Sequence, residues 1–255
     1  DIVFCIDASD SMQPCLDGVR DHMNGLIENL NKIDPQGVGN WDVRFDFLAH
    51  GMCDTTLAIR SFTVNSEDAH AEIYANRKNF GFNQGGTQPS DKLFTTDVDL
   101  FKKSLSKIEP MGDEANFVGL DFALDMPWRV DSDCHRVVVM FTDEPFETGQ
   151  LQEESKALAD DLVKKIQELG VILVIFAPDS PGYELLAEAD KSQYDNSHSQ
   201  SSDDGLKSAD FSNLMQQLAK SISTATLEKN RSQNKPEPLF GQFEWVGISA
   251  PMSGR

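Results

Sequence analysis

The sequence predicts an α/β protein: an open, doubly wound and mostly parallel sheet with one antiparallel edge strand and helices on both faces. Three short apolar runs, at residues 2–6, 137–141 and 171–178, have the composition of strands buried on both sides. Segments with the apolar spacing of amphipathic helices lie between them. Because strands that alternate with helices form crossover units, we expect these runs to pair in parallel.

The first part of the chain contains a strand, a long helix and two neighbouring strands. After the run at 2–6, apolar residues recur at helical spacing over residues 12–33 and predict a helix that ends before the Asp-Pro pair at 34–35. Alternating apolar and charged residues at 43–47 predict the next strand, and residues 57–64 predict the edge strand beside it. The polar stretch at 65–95 is expected to be a long exposed insertion.

The second part continues the alternation of helices and strands. Its expected elements, in order, are a capped helix beginning at Thr96, a helix over 118–124, a strand over 137–141, a helix over 158–169, a strand over 171–178, a short helix near Leu185 and a last helix over 211–222. We therefore expect one domain over residues 1–226. Residues 227–255 have the composition of a linker, followed by an aromatic patch at 240–245.

Charge and cysteine content exclude several classes of protein. The chain has 22 basic and 42 acidic residues, and a net charge of -20 repels nucleic acid and anionic membrane surfaces. No apolar stretch approaches the ~20 residues that span a bilayer. The four cysteines are scattered without a C-x-x-C pair, which is typical of reduced, buried thiols and favours the cytoplasm. An extracellular fragment of a larger adhesin is the alternative location.

Oxygen-bearing side chains follow two of the predicted strands. Asp7 ends the first apolar run and is followed by Ser9 and Ser11, and Asp143 follows the run at 137–141. In doubly wound sheets ligands bind beyond the carboxyl ends of the strands, where the strand order reverses. Two carboxylates and two hydroxyls at that edge suit Mg²⁺, Mn²⁺ or Ca²⁺ far better than zinc.

The two motifs together resemble a known family. The pattern D-x-S-x-S at residues 7–11, on a strand that leads into a long helix, and the later apolar strand ending in T-D at 142–143 are similar to the von Willebrand factor type A domain and its metal-ion-dependent adhesion site. The resemblance in element order covers residues 1 to about 224 and implies a Rossmann-like fold. In its combination of motifs the chain looks closer to bacterial members than to animal adhesion proteins.

In that family a third loop contributes one more oxygen ligand. The stretch GDEAN at 112–116 resembles one form of this loop and puts Asn116 in the ligand position, whereas Gly85-Gly86-Thr87 resembles the other form. An amphipathic helix follows Asn116 but does not directly follow Thr87. We therefore prefer Asn116, with Thr87 as the alternative.

The resemblance also implies a function. Ser9, Ser11 and Asn116 would bind the metal directly, with Asp7 and Asp143 acting directly or through water. The cation, Mg²⁺ with Ca²⁺ or Mn²⁺ as alternatives, would accept a carboxylate of a protein partner as its last ligand. The chain would then be a non-enzymatic protein-interaction module, and bacterial relatives of this kind often work beside ATPases or in stress and defence assemblies.

Two departures from the family pattern leave alternatives open. Asp10 stands between the serines, where the family usually has glycine, and Glu144 stands where glycine often follows the second aspartate. The added charge would repel an acidic partner, so a Ca²⁺ site, a basic partner surface, or a scaffold with a decayed metal site are the other readings. A further alternative is a Mg²⁺-dependent phosphohydrolase of the haloacid-dehalogenase type with Asp7 as nucleophile, but Ser9 replaces the second carboxylate which that mechanism needs.

Overall fold

The structure is a computed structural model that describes residues 1–32, 41–53, 56–62, 70–76, 93–110, 112–130, 134–146, 152–196, 206 and 209–227. The strands in these ranges are β1 (Ile2–Asp7), β2 (Phe45–Cys53), β3 (Thr56–Phe62), β4 (His70–Asn76), β5 (Val137–Phe141), β6 (Ile172–Phe176) and β7 (Ser192–Asp195). The α-helices are α1 (Gln13–Lys32), α2 (Val98–Leu105), α3 (Asn116–Leu124), α4 (Gln152–Leu169), α5 (Pro181–Leu186) and α6 (Phe211–Leu227), and a 3-10 turn (Asp10–Met12) precedes α1.

The described strands form one sheet, in the order β4-β3-β2-β1-β5-β6-β7. Five adjacent strands, β2, β1, β5, β6 and β7, run parallel to one another. Strand β3 is antiparallel to both β2 and β4. The predicted fold class is confirmed. One detail differs, because β4 lies outside β3 and takes the edge position expected for the antiparallel strand.

Strand β4 lies within the 65–95 stretch that the sequence analysis expected to be an insertion. Its sequence, HAEIYAN, has no apolar run, and it is held in the sheet by main-chain pairing with β3 over seven positions. Main-chain hydrogen bonds require no particular side chain, and the only local signal for this strand was the short alternation of Ala71, Ile73 and Ala75. The rest of that stretch up to residue 92, with Thr87, and the tail from residue 228, with its aromatic patch, lie outside the described residues.

The order of the strands reverses at β1. The chain runs from β1 to β2 on one side, and the later strand β5 pairs with β1 on the other side. The carboxyl ends of β1 and β5 therefore flank the switch point, which is where a doubly wound sheet leaves a crevice for ligands.

Helices cover both faces of the sheet. Phe4 and Ile6 of β1 face a core shared with α1, α2 and α6, whereas Val3 and Cys5 face a core shared with α3, α4 and α5. Alternate residues of one strand thus enter two different cores, which explains why the central strands are apolar throughout. Among the described helices, none combines the length and the apolarity needed to cross a bilayer.

The helix predicted to begin at Thr96 starts slightly later than expected. Asp97 is the cap, and its Oδ1 accepts hydrogen bonds from the main-chain N–H groups of Asp99 and Leu100 at 2.9 and 3.0 Å. An aspartate satisfies the free N–H groups of a first turn well, so it takes this role from the neighbouring threonine. Phe101 of this helix is fully buried against Phe4, Phe45 and Phe47 and fixes α2 to the sheet.

Candidate metal site at the switch point

Asp7 and Thr142 meet at the switch point. Ile6 of β1 pairs with Phe141 of β5, which brings the residues that follow each strand side by side. Thr142 Oγ1 donates a hydrogen bond of 2.8 Å to Asp7 Oδ2, and both residues are fully buried. The carboxylate of Asp7 is thereby fixed at the floor of the site.

The loop after β1 turns back onto the same carboxylate. The main-chain N–H of Ser9 donates to Asp7 Oδ1 at 2.8 Å, and the 3-10 turn that follows places the hydroxyls of Ser9 and Ser11 3.4 Å apart. Ser9 is buried and Ser11 is half-buried. The D-x-S-x-S spacing therefore brings three oxygen-bearing side chains to one place.

The third loop also reaches this place. Asn116 begins α3 and is 6% exposed, and its Nδ2 donates to Thr142 Oγ1 at 3.1 Å. Since this bond occupies the amide nitrogen, the amide oxygen Oδ1 is left buried and without a hydrogen-bond partner among the described residues. Buried polar atoms are nearly always paired, so this oxygen is available to accept a further interaction.

Asp143 contributes a second oxygen of this kind. The residue is half-buried, yet its Oδ1 is buried and has no hydrogen-bond partner in the part of the chain that the structure describes. Its charge adds to the effect of burial, which raises the pKa of Asp7. The structure thus brings together all five residues that the sequence analysis singled out: Asp7, Ser9, Ser11, Asn116 and Asp143.

The electrostatics of the site are strongly acidic. Burial raises the pKa of Asp7 to about 7, and the charges of Glu114 and Asp143 add to the shift, while its two hydrogen bonds oppose it. Burial likewise raises the pKa of Glu114 to about 7, with the charges of Glu144, Asp113 and Asp143 adding to it. Among the described residues no basic side chain forms an ion pair with either carboxyl, so a bound cation would relieve the repulsion.

The donor set fits a hard divalent cation. Among the described residues there is no group of three or more His, Cys, Asp and Glu side chains with the arrangement of a metal site. What the edge offers is a mixture of carboxylate, hydroxyl and amide oxygens, including the two unpartnered ones. Oxygen ligands of this kind suit Mg²⁺, Mn²⁺ and Ca²⁺, and the absence of thiolate or imidazole disfavours zinc.

Asp10, which stands where the family usually has glycine, does not strain the first loop. Asp10 lies in the 3-10 turn, and among the described non-glycine residues only Phe94 and Lys191 have positive φ. Its N–H donates to the carbonyl oxygen of Gly112 at 3.4 Å and so links the first loop to the third, and its side chain is exposed. The added charge at Asp10 lies on the rim of the site.

Three residues outside the predicted set also shape the site. Thr142 joins Asp7 to Asn116, and its position in the T-D motif was a signal for this role. Glu114 adds negative charge that helps to raise the pKa of Asp7. The sequence contained no signal for this role, because a charged residue in a loop is ordinarily exposed. Tyr183, which the sequence did not indicate, donates from its buried hydroxyl to the main-chain oxygen of Glu144 at 3.0 Å. Helix α5 thereby supports the loop after β5.

No family model matches the chain, and no curated protein is significantly similar to it. Solved structures with a similar fold include the human COPII-coat protein Sec24c (11% identity, TM-score 0.54), a von Willebrand factor type A protein from Catenulispora acidiphila (11%, 0.47) and the pilus adhesin SpaC from Lactobacillus rhamnosus GG (15%, 0.44). Each match covers 88% of this chain but only 32%, 42% and 30% of the respective structure. The likeness to Sec24c concerns the fold alone, and TM-scores below 0.5 support no conclusion.

Proposed function

We propose that this chain is a protein-interaction module of the von Willebrand type A kind whose binding edge holds a divalent cation, Mg²⁺ with Ca²⁺ or Mn²⁺ as alternatives. The observation that carries the proposal is the pair of buried, unpartnered oxygens, Asn116 Oδ1 and Asp143 Oδ1, beside the switch point. Folding gains nothing from leaving them unpaired, since each costs ~1–3 kcal/mol of desolvation. A cation that accepts both oxygens as ligands removes that cost.

Ser9 and Ser11 complete the proposed set of ligands, and Asp7, whose two oxygens already accept hydrogen bonds, acts on the cation through water. Thr142 holds Asp7 and Asn116 in place by hydrogen bonds and is a positioning residue. The bound cation would have an open coordination position that accepts an oxygen ligand from outside the chain. In this proposal the outside ligand is a carboxylate of a protein partner, and the partner binds only when the cation is present.

The geometry gives no support to the phosphohydrolase alternative. A nucleophilic aspartate must present a free oxygen to its substrate. Asp7 is fully buried, and both of its carboxylate oxygens accept hydrogen bonds, from the Ser9 N–H and the Thr142 hydroxyl. We therefore propose a binding role, with no catalytic residue.

Calorimetric titration of the metal-stripped chain with Mg²⁺, Ca²⁺ and Mn²⁺ tests the proposal. We expect saturable binding with a stoichiometry of one, and at least about tenfold weaker binding by the double variant Asp7→Asn, Ser9→Ala. The matched control is Asp161→Asn with Ser106→Ala, which alters an exposed acid and an exposed hydroxyl on other surfaces. Equal binding by all three proteins would show that the site assignment is wrong.

If the wild-type chain binds none of the three cations, the metal-free scaffold becomes the better description. Hydrolysis of p-nitrophenyl phosphate in Mg²⁺ that Asp7→Asn abolishes would instead establish the enzymatic alternative.

A further inference from the structure

A pocket with apolar walls lies at the end of the sheet opposite to the candidate metal site. Its volume is about 260 Å³, and it lies at the amino ends of β1 and β5, which pair there side by side. Its apolar lining consists of Ile2, Leu30, Trp41, Val43, Val137 and Ile222. A cavity of ~150 Å³ accepts a benzene ring, so this pocket has room for an aromatic side chain.

The charged groups that line the pocket are paired with one another. Arg129 Nε donates to Asp1 Oδ1 at 2.7 Å, and the same guanidinium forms an ion pair with Asp42. The side chain of Asp42 is 79% exposed, so the pocket opens to the surface beside it. Because this pairing leaves the apolar walls as the main surface on offer, the pocket suits an apolar occupant better than an ionic one.

Helix α6 brings the C-terminal tail of the chain to this pocket. Ile222 of α6 lines the pocket, and the helix ends at Leu227, only about 8 Å further along its axis. Residues 228–238 are all polar, charged or proline, and the aromatic patch at 240–245 follows them. This connection can span up to roughly 36 Å, so it is long enough for the patch to return to the pocket from the end of α6.

We propose that the aromatic patch docks into the pocket of its own chain, so that a side chain of Phe240, Phe243 or Trp245 fills the space between the apolar walls. Three aromatic side chains within six residues bury a large apolar area when they find a surface to cover. Because the patch is joined to the domain, its effective concentration at the pocket is higher than that of a separate molecule. The inference does not rest on the cation site, which lies at the carboxyl ends of the strands.

The thiol of Cys134 reports whether the pocket is filled, since Cys134 is half-buried and lines it. Its rate of alkylation by iodoacetamide is measured in the full chain by mass spectrometry of the peptide that contains it. We expect the double variant Phe243→Ala, Trp245→Ala to react at least about fivefold faster than wild type, because the emptied pocket exposes the thiol. The matched control, Ile248→Ala with Met252→Ala, removes two apolar side chains of the tail outside the patch and is expected to react like wild type.

Cross-linking identifies the occupant of the pocket. Gln242→Cys places a thiol within the patch without removing an aromatic side chain, whereas Ser232→Cys places one closer to the end of α6. We expect a short bis-maleimide to join Cys134 to the thiol of Gln242→Cys, within one chain, at least about tenfold faster than to that of Ser232→Cys. Without docking the order would be the opposite, because a position closer to the end of α6 has the higher effective concentration near the pocket.

Three results would overturn this inference. The first is equal alkylation of Cys134 in wild type and in the Phe243→Ala, Trp245→Ala variant, and the second is faster cross-linking of Ser232→Cys. The third is a cross-link that joins two chains into a dimer, which would assign the pocket to a second copy. Cys5 is fully buried in β1, so its lack of alkylation in every variant confirms that the domain stays folded during the measurement. None of these results bears on the cation site.

Discussion

The imidazole of His50 on β2 fills the space where a side chain on Gly119 of α3 would stand. A Cβ at Gly119 would overlap the Cδ2 and Cγ atoms of the ring. The His50 ring is fully buried and packs against Gly119, and neither of its nitrogens has a hydrogen-bond partner in the described part of the chain. Because Asn116 lies one turn before Gly119, this contact also sets where Asn116 stands relative to the sheet.

The first prediction concerns this contact. Gly119→Ala is expected to lower the free energy of unfolding by about 1–3 kcal/mol, since the new methyl group must displace the ring or the helix. The matched control is Gly25→Ala in α1, where a Cβ would meet nothing within 4 Å. That variant is expected to gain about 0.5–1 kcal/mol from its better helix propensity. Urea unfolding measures both, and a stabilising Gly119→Ala would contradict the packing described.

Thr142 provides the second prediction. Thr142→Val has nearly the same shape but loses the hydroxyl that donates to Asp7 and accepts from Asn116. We expect a loss of about 1–3 kcal/mol in stability and weaker cation binding, because two side chains of the site lose their common partner. Thr142→Ser restores the hydroxyl and is expected to recover most of the cation affinity in the same titration. Equal affinities for the valine and serine variants would contradict this role.

The third prediction concerns pH and a buried acid outside the site. Asp46 on β2 is fully buried, and its two carboxylate oxygens accept hydrogen bonds from the N–H groups of Phe47 and Phe94 at 2.7 and 2.9 Å. Burial raises its pKa from 3.8 to about 8, and these two bonds oppose the shift. The folded chain therefore holds a proton that the unfolded chain releases between these two pH values.

The sign of the pH dependence follows from this difference in bound protons. As pH rises from about 4 to 8, the contribution of Asp46 to stability falls, by at most about 1.4 kcal/mol per pH unit. Asp46→Asn cannot titrate, so it is expected to show a smaller decline over this range than wild type. Urea unfolding of the metal-stripped proteins across the range measures the two slopes. Parallel slopes would show that Asp46 is ionised in the folded chain.

Tyr183 gives the fourth prediction. Tyr183→Phe removes the hydroxyl that donates to the main-chain oxygen of Glu144, while leaving the buried ring in place. We expect a loss of about 0.5–1.5 kcal/mol in stability and a modest decrease in cation affinity, because the loop that carries Asp143 loses a support. A stability loss with unchanged cation affinity would limit the role of Tyr183 to the fold.

The strands that position the site could be predicted from sequence because their local composition and their environment agree. β1, β5 and β6 are buried on both faces, so an uninterrupted apolar run is a direct signal, and the acids that follow the runs mark the ligand edge. β4 could not be predicted, since its place in the sheet depends on main-chain pairing with β3. Its sequence offers only Ile73 between two alanines, Ala71 and Ala75, which is a weak strand pattern.

Side-chain roles at the site could be predicted only for residues that belong to a recognisable sequence motif. The spacing of Asp7, Ser9 and Ser11 carries its own signal, as does the pair Thr142-Asp143. Glu114 carried none, because a glutamate in a loop is ordinarily exposed, and only the path of the third loop buries it. The Tyr183 hydroxyl bonds to the main-chain oxygen of Glu144, which lies 39 residues earlier in the sequence. No local sequence pattern predicts a contact between residues so far apart.

The bond between Asp7 and Thr142 joins residues 135 positions apart. During synthesis or refolding, the bond between Asp7 and Thr142 forms only after β5 has paired with β1. A piece of the chain that ends before residue 143 therefore lacks part of the set of oxygens. A cation that binds there only in the native chain would add to stability by RT ln(1 + L/Kd), where L is the free cation concentration. Because the site forms late in folding, the cation would slow unfolding more than it speeds folding.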